Sequence, residues 1–376
     1  MGFFEKGPFM KISVALVSTL AVVLLVACSG GTGSMTPSTG APANRNMLGA
    51  SSGNASVLQT LTVEQTIGST ISSPVKDVNP YGLDVAKVTS ADIQAGDLVV
   101  CNFNDPGNVQ GTGTTIVALH PIVGATPATI VKSDDLQGCN AVAAAQDGKI
   151  WAAAFKANDN PIFTAGGMEA TALKNGPWNH PFGEAFASPN TFYVSNAGNG
   201  TLVRVSVSGG SSYQFTVIAT GFPINGGKPG SILGPSGLNY EASDDRLYVV
   251  DGTNNALYAI DQISAVSANG IAVNGSTFSG PSAANAHLVF AGAPLNGPIS
   301  SAILPGGNIA VGNTLDPDGQ NLIVEISRSG SVLNVKNVDT GAGGAIFGMV
   351  ATGASPSSTK LYFNDDNDNT VKVLSQ

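Results

Sequence analysis

The sequence predicts an all-β chain: a six-bladed β-propeller with four-stranded antiparallel blades, closed by pairing of N- and C-terminal strands. Three observations carry that prediction. One strand-turn-strand pattern recurs at LVVCNFNDPGN (98 to 108), IWAAAFKANDN (150 to 160), FYVSNAGNGTLVRV (192 to 205), LYVVDGTNNALYAI (247 to 260), IAVGNTLDPDGQNLIVEI (309 to 326) and LYFNDDNDNTVKVL (361 to 374). A second segment precedes each hairpin: NPYGLDVA (79 to 86), GCNAVAAA (138 to 145), HPFGEAFA (180 to 187), GPSGLNYE (234 to 241), GPISSAIL (297 to 304) and AIFGMVAT (345 to 352). Finally, 47 glycines, 43% hydrophobic residues and only 11% charged ones suit many short strands joined by tight turns.

Taken in chain order, the first element is an export signal over residues 1–27. Lys11 precedes an uncharged apolar run, Ile12 to Ala27. Sixteen residues fall short of the roughly 20 that span a bilayer as a helix, and a charged start, apolar middle and small-residue end mark a cleaved signal. Its end, Leu25-Val26-Ala27-Cys28, resembles the bacterial lipoprotein box, in which the cysteine is lipidated and becomes the first mature residue. The resemblance implies a lipid anchor at Cys28 on the cell envelope, with Ser29 matching an outer-membrane address if the organism is Gram-negative. Residues 28–56, rich in Ser, Gly, Thr, Pro and Ala, cannot bury enough apolar surface to offset their ordering entropy and read as a flexible tether.

Residues 57–376 form the propeller domain. In each hairpin the alternation has period 2 and is interrupted by Asn, Asp or Gly, which tolerate the positive φ of tight turns. The residues closing the first strand form a register, Asn102, Ala154, Asn196, Asp251, Asn313 and Asp365, spaced 52, 42, 55, 62 and 52 apart. Runs such as ATIVK, QFTVIA, HLVFAG and VLNVKNV supply an outer strand. Units of 40 to 60 residues with four strands each bury their faces against one another around a central channel. The sixth unit stops at its third strand, and SVLQTLTV, 56 to 63, is expected to complete it, leaving few exposed edges. The hairpins resemble the NHL-type repeat, roughly Leu-Tyr-Val-x-Asp-x-x-Asn-x-x-Val, best at 192 to 205, 247 to 260 and 361 to 374. This resemblance implies a six-bladed propeller and says little about chemistry.

Charge narrows the functions. The chain carries −9, and removing residues 1–27, with Glu5, Lys6 and Lys11, makes it −10. Scattered Lys and Arg in so acidic a chain provide no footprint for nucleic acid or anionic lipid, so membrane attachment is expected only through the lipid at Cys28. A monomer is expected.

A ligand-binding mouth is expected where the inter-blade connections and the turns between strands two and three converge. The position inside each Pro-x-Gly segment is Tyr81, Asn140, Phe182, Ser236, Ile299 and Phe347, and the register adds Asp251 and Asp365. A concave site with apolar walls and few polar groups suits a small-molecule or protein ligand. Turn or packing roles account for the same residues. The architecture is also similar to the gluconolactonase-like propellers. Such a resemblance implies a calcium or other divalent cation at the mouth, held by Asp251, Glu184 and Asn140, and lactone hydrolysis. Ser236 stands where that family has Asn, and Ala154 where it has Asp, so the ligand set is incomplete.

Other candidates are few. No pair among His120, His180 and His287 has metal-ligand spacing; His180, near Glu184, is the candidate general base. The acidic turns NDDNDN (364 to 369) and LDPDGQN (315 to 321) could hold calcium but sit where hairpin turns are required. Cys101 and Cys139 fall near the mouth in adjacent blades, where a disulfide is geometrically open. These readings lead to a binding or scaffold module without a cofactor, with a metal-dependent hydrolase as the alternative.

Overall fold

The computed structural model describes residues 55–90, 92–226 and 233–376. The signal, the lipidation site Cys28 and the tether up to residue 54 lie outside the described residues.

Among the described residues six sheets follow one another along the chain, each running outward from its innermost strand, except that the sixth takes its outermost strand from ahead of the first. Blade 1 runs Val78–Val85, Leu98–Asn104, Thr115–Leu119 and Ala128–Lys132. Blade 2 is the slightest, with Cys139–Ala144 and Ile150–Ala154 followed by the short Ile162–Phe163 and Glu169–Thr171. The inner strands of blades 3 to 6 are Pro181–Ser188, Pro235–Glu241, Pro298–Ile303 and Ile346–Thr352. Blade 3 is enlarged by a hairpin, Ile271–Asn274 and Thr277–Ser279, inserted between the third and fourth strands of blade 4 and paired in parallel to Ser212–Thr220. Among the described residues no helix is long and apolar enough to cross a membrane.

The repeat is written as nearly continuous apolar runs because both faces of every blade are buried. In Arg246–Asp251, Leu247 and Val249 pack against blade 3, while Tyr248 and Val250 pack against blade 5. Each of the six blade interfaces holds one hydrophobic cluster. A seventh, built around Tyr81, Phe182 and Phe347, sits on the channel axis.

The ring closes between the chain's ends, but with a different segment from the one expected. Val63–Ser69 pairs antiparallel with Thr370–Ser375 as the outer strand of blade 6. Residues 56–61 form a short turn of 3-10 helix over Leu58–Thr60 instead of a strand. Val57, Leu58 and Leu61 bury together at the interface of blades 5 and 6, which uses their spacing as a cap. Glu325, fully buried on the third strand of blade 5, fixes that cap: its carboxylate accepts from Val57 N (3.0 Å), Leu58 N (2.8 Å) and Ser56 Oγ (2.5 Å). The N-terminal segment therefore latches blade 5 before it completes blade 6.

Cys101 and Cys139 are bonded, with Cα atoms 5.9 Å apart, within the usual range. The bond joins the second strand of blade 1 to the inner strand of blade 2.

Candidate functional site

The inner strands surround a channel in successive rings. At one end lie Tyr81, Asn140, Phe182, Ser236, Ile299 and Phe347, the positions inside the Pro-x-Gly segments. All of them but Ser236 line a cavity at that end, floored by their own packed rings. Tyr81 stacks on Phe347 with ring centroids 4.0 Å apart and on Phe103 at 4.4 Å, and Tyr81, Phe182, Ile299 and Phe347 are all buried. The aromatic residues plug the channel. The cavity above them, between these rings and Leu233, Thr314 and Leu315, is about as roomy as the chamber beneath the plug. Ser236 faces the protein instead, its hydroxyl donating to Val250 O at 3.2 Å.

The next ring explains the glycine of the motif. A Cβ on Gly183 would collide with the carbonyl of Ser236, and one on Gly237 would come within 2.8 Å of Ile299 O. Inner strands of neighbouring blades thus approach too closely for a side chain. The ring allows Ala141 in blade 2 and Ser300 in blade 5.

Beneath the glycines, Leu83, Val142, Glu184, Leu238, Ser301 and Met349 line a chamber, also reached by Asn140 and Ser300. Its volume is roughly 70 Å³, room for a few waters or a small group. The channel continues past Asp84, Asn239 and Tyr240 to the face opposite the plug, where the opening is about three times as roomy, 220 Å³ on the same measure.

Glu184 is the carboxylate of this apolar ring, and its Oε1 accepts from the Asn160 amide of blade 2. Burial pushes its carboxyl well above the ordinary range; the Asn160 amide pulls it down and the charge of Asp84 pushes it further up. Its Oε2 has no partner, and neither do Asn140 Oδ1 and Ser300 Oγ. Asp84, nearer the opening, accepts from Lys87 Nζ at 3.1 Å and from Ala144 N at 2.8 Å.

The register residues face the blade turns, and Asn and Asp there do different work. Asn196 and Asn313 clamp the incoming connector: their amides donate to Pro177 O and Pro294 O, both at 2.9 Å, and their oxygens accept from Asn179 N and Asn296 N. Asn102 donates to Thr70 O at 3.1 Å. Asp251 Oδ1 instead accepts from the turn, from Thr253 N at 2.9 Å and Asn254 N at 3.2 Å, while its Oδ2 has no partner. Burial pushes its carboxyl up to about 6, against the pull of those two amides.

Asp365 accepts from Asn367 N at 3.0 Å and from Lys372 Nζ at 2.5 Å. Lys372 is itself buried and lies 3.3 Å from Asp368 Oδ2 and 3.9 Å from Asp339 Oδ1. The acidic turn at 364–369 thus carries its own cation on the neighbouring strand. In the turn at 315–321, Asp316 accepts from Leu322 N and Asn313 Nδ2.

The ligand set implied by the lactonase resemblance does not fit this geometry. Glu184 and Asn140 line the chamber, whereas Asp251 is committed to its own turn and does not line it. Among the described residues no group of three or more His, Cys, Asp or Glu is placed to hold a metal ion. His180 stacks on Phe155 at 4.2 Å with φ 52°, and burial lowers its basicity. It lines neither the chamber nor its opening. His120 pairs with Asp97 at 2.8 Å and His287 lies 3.5 Å from Asp261, both away from the channel lining. Asn160, Ser300 and Glu325 escaped sequence reasoning; the signal for the last was a lone acid in the apolar strand LIVEI.

No protein-family model matches the chain, and no curated protein does. Solved structures share its fold. A Bacteroides thetaiotaomicron structural genomics protein of unknown function superposes with TM-score 0.52 and 11% identity, covering 83% of this chain and 75% of that one. Virginiamycin B lyase from Staphylococcus aureus gives 0.51 and 14%, covering 84% and 99%. A chain of a nidogen/laminin complex gives 0.50 and 13%, covering 73% and 86%. At such identities the likeness is one of fold: this chain is a six-bladed β-propeller, distantly related in structure to propellers that include an enzyme and a component of a protein complex.

Proposed function

We propose that the chain is a non-catalytic binding module, exported and held at the cell envelope by lipid at Cys28, that takes up a ligand through the channel end opposite the aromatic plug. The observation that carries this reading is the chamber itself. It has walls of mixed polar and apolar character, an opening on one side, and among its lining residues three, Glu184, Asn140 and Ser300, that each bury a polar atom without a partner. Such atoms are costly to leave unsatisfied, and a ligand supplying their hydrogen bonds recovers that cost. The separation of Glu184 from both His180 and Asp251 argues against acid-base or metal-assisted hydrolysis. The export signal, the NHL-like hairpins and the monomeric, lipid-tethered state complete the reading. The partner is a small molecule or a peptide segment narrow enough for the channel, and nucleic acid is excluded by charge.

Thermal unfolding of the purified chain against a chemically mixed metabolite library, run beside a lactone-hydrolysis assay, tests the proposal. Compounds that raise the melting temperature, with no lactone turnover, are expected. Turnover lost in both Asp251→Asn and Glu184→Gln, with no stabilising compound, would replace the binding reading with the hydrolase.

A further inference from the structure

The three partnerless groups of the chamber come from different walls: Asn140 from blade 2, Glu184 from blade 3 and Ser300 from blade 5. They are 4, 9 and 7% exposed. They surround the channel axis, and all three lack a donor, the Ser300 hydroxyl lacking an acceptor as well. Each presents an oxygen able to accept a hydrogen bond. One of them, Glu184, can also carry a charge when a cation is beside it. Asp84 has Lys87 as its counter-ion, whereas Glu184 has only the neutral amide of Asn160. The chamber therefore asks for hydrogen-bond donors and for positive charge, within walls that include the apolar Leu83, Val142, Leu238 and Met349.

Few chemical groups meet that description. An ammonium has three N–H donors, no acceptor and one positive charge. A hydroxyl brings one donor together with acceptor lone pairs that would themselves need partners, and it leaves Glu184 uncompensated. A calcium ion needs six to eight oxygen ligands, and the chamber offers a single carboxylate.

We propose, resting on the binding reading above, that the chamber binds a primary alkylammonium group, with its head among Glu184, Asn140 and Ser300 and its apolar stem lying along Leu83, Leu238 and Met349 toward the open face. Burial of Glu184 without a cation favours its neutral form, and an ammonium seated beside it restores the ionised one. The plug at Tyr81 and Phe347 closes the far end, so the ligand enters and leaves by the Asp84 side. Asp84 and Lys87, paired at that opening, form a neutral rim that a cation can pass.

Calorimetric titration of hexylammonium chloride, hexan-1-ol and calcium chloride into the purified full chain tests this assignment. Hexylammonium is expected to bind one to one, roughly ten- to a hundredfold more tightly than hexan-1-ol, the range for hydrogen bonds to a charged group. In Glu184→Gln that preference should fall to within about twofold, and Ser300→Ala should lose a smaller part of it. Equal affinity for the alcohol, no binding of hexylammonium, or calcium binding that displaces it would each overturn the assignment. Should Glu184→Gln fail to fold, the comparison of hexylammonium with hexan-1-ol on the unaltered chain decides alone. A chain that ignores hexylammonium but is stabilised by other library compounds loses only this assignment; one that binds nothing and turns over a lactone loses the binding reading as well.

Discussion

Replacing Asp251 by Asn should stabilise the protein, and by an amount that depends on pH. The carboxyl is fully buried at the end of the second strand of blade 4, with one oxygen in the turn and the other without a partner. Its folded-state value of about 6 stands above the ordinary 3.8. The proton is thus held more tightly in the fold than in the unfolded chain, so this group's contribution is fully present below about pH 4 and is lost as pH rises through about 6. A shift of about two units at 1.36 kcal/mol each makes the loss about 3 kcal/mol, an order-of-magnitude figure. An asparagine keeps the oxygen that accepts from Thr253 and Asn254, and places its amide as Asn196 and Asn313 place theirs, toward the connector. Urea denaturation of both proteins should give equal stabilities at pH 4 and, at pH 8, an advantage of about 2–3 kcal/mol for the variant. The other buried acids are common to both proteins and cancel in the difference. A variant that is less stable at pH 8 would refute the reasoning, because it would mean the second oxygen has a cationic partner.

Three further outcomes are expected. A chain beginning at residue 70 lacks both the cap on Glu325 and the strand Val63–Ser69, and should lose its cooperative thermal transition; unchanged melting would remove the closure from the account. Lys372→Met leaves Asp365, Asp368 and Asp339 without their cation and should cost about 3–5 kcal/mol near neutral pH, with much of that recovered in the double variant Lys372→Met, Asp365→Asn, as measured by urea denaturation. Gly183→Ala forces a methyl onto the Ser236 carbonyl and should cost about 3 kcal/mol, the upper part of the usual range for overpacking, read as a fall in melting temperature.

The blades were legible because their second and third strands are packed on both faces, so that the whole apolar run carries signal, and because Asn, Asp and Gly at each interruption are dictated by turn geometry. The closing strand was not. Val63–Ser69 keeps its first four residues exposed and reads as polar, while Val57, Leu58 and Leu61 just before it look like strand residues but bury as a cap. The inserted hairpin at 271–279 was missed for a related reason: it interrupts blade 4 in sequence yet extends blade 3 in space. At the channel, sequence placed the Pro-x-Gly residues at one end but could not show that Tyr81, Phe182 and Phe347 would satisfy one another and shut it. Glu184 was visible as a spare carboxylate. Ser300 was hidden because it occupies a position that is glycine in four other blades, and only the chamber beneath gives its hydroxyl meaning.

Calcium titration of the EDTA-treated full chain, followed by calorimetry, tests most directly whether this propeller binds rather than hydrolyses. The account predicts no specific heat of binding, since Asp251 serves its turn, Lys372 occupies the acidic turn of blade 6 and the chamber holds one carboxylate. One-to-one calcium binding that disappears in Asp251→Asn would contradict it and bring the metal-dependent hydrolase forward.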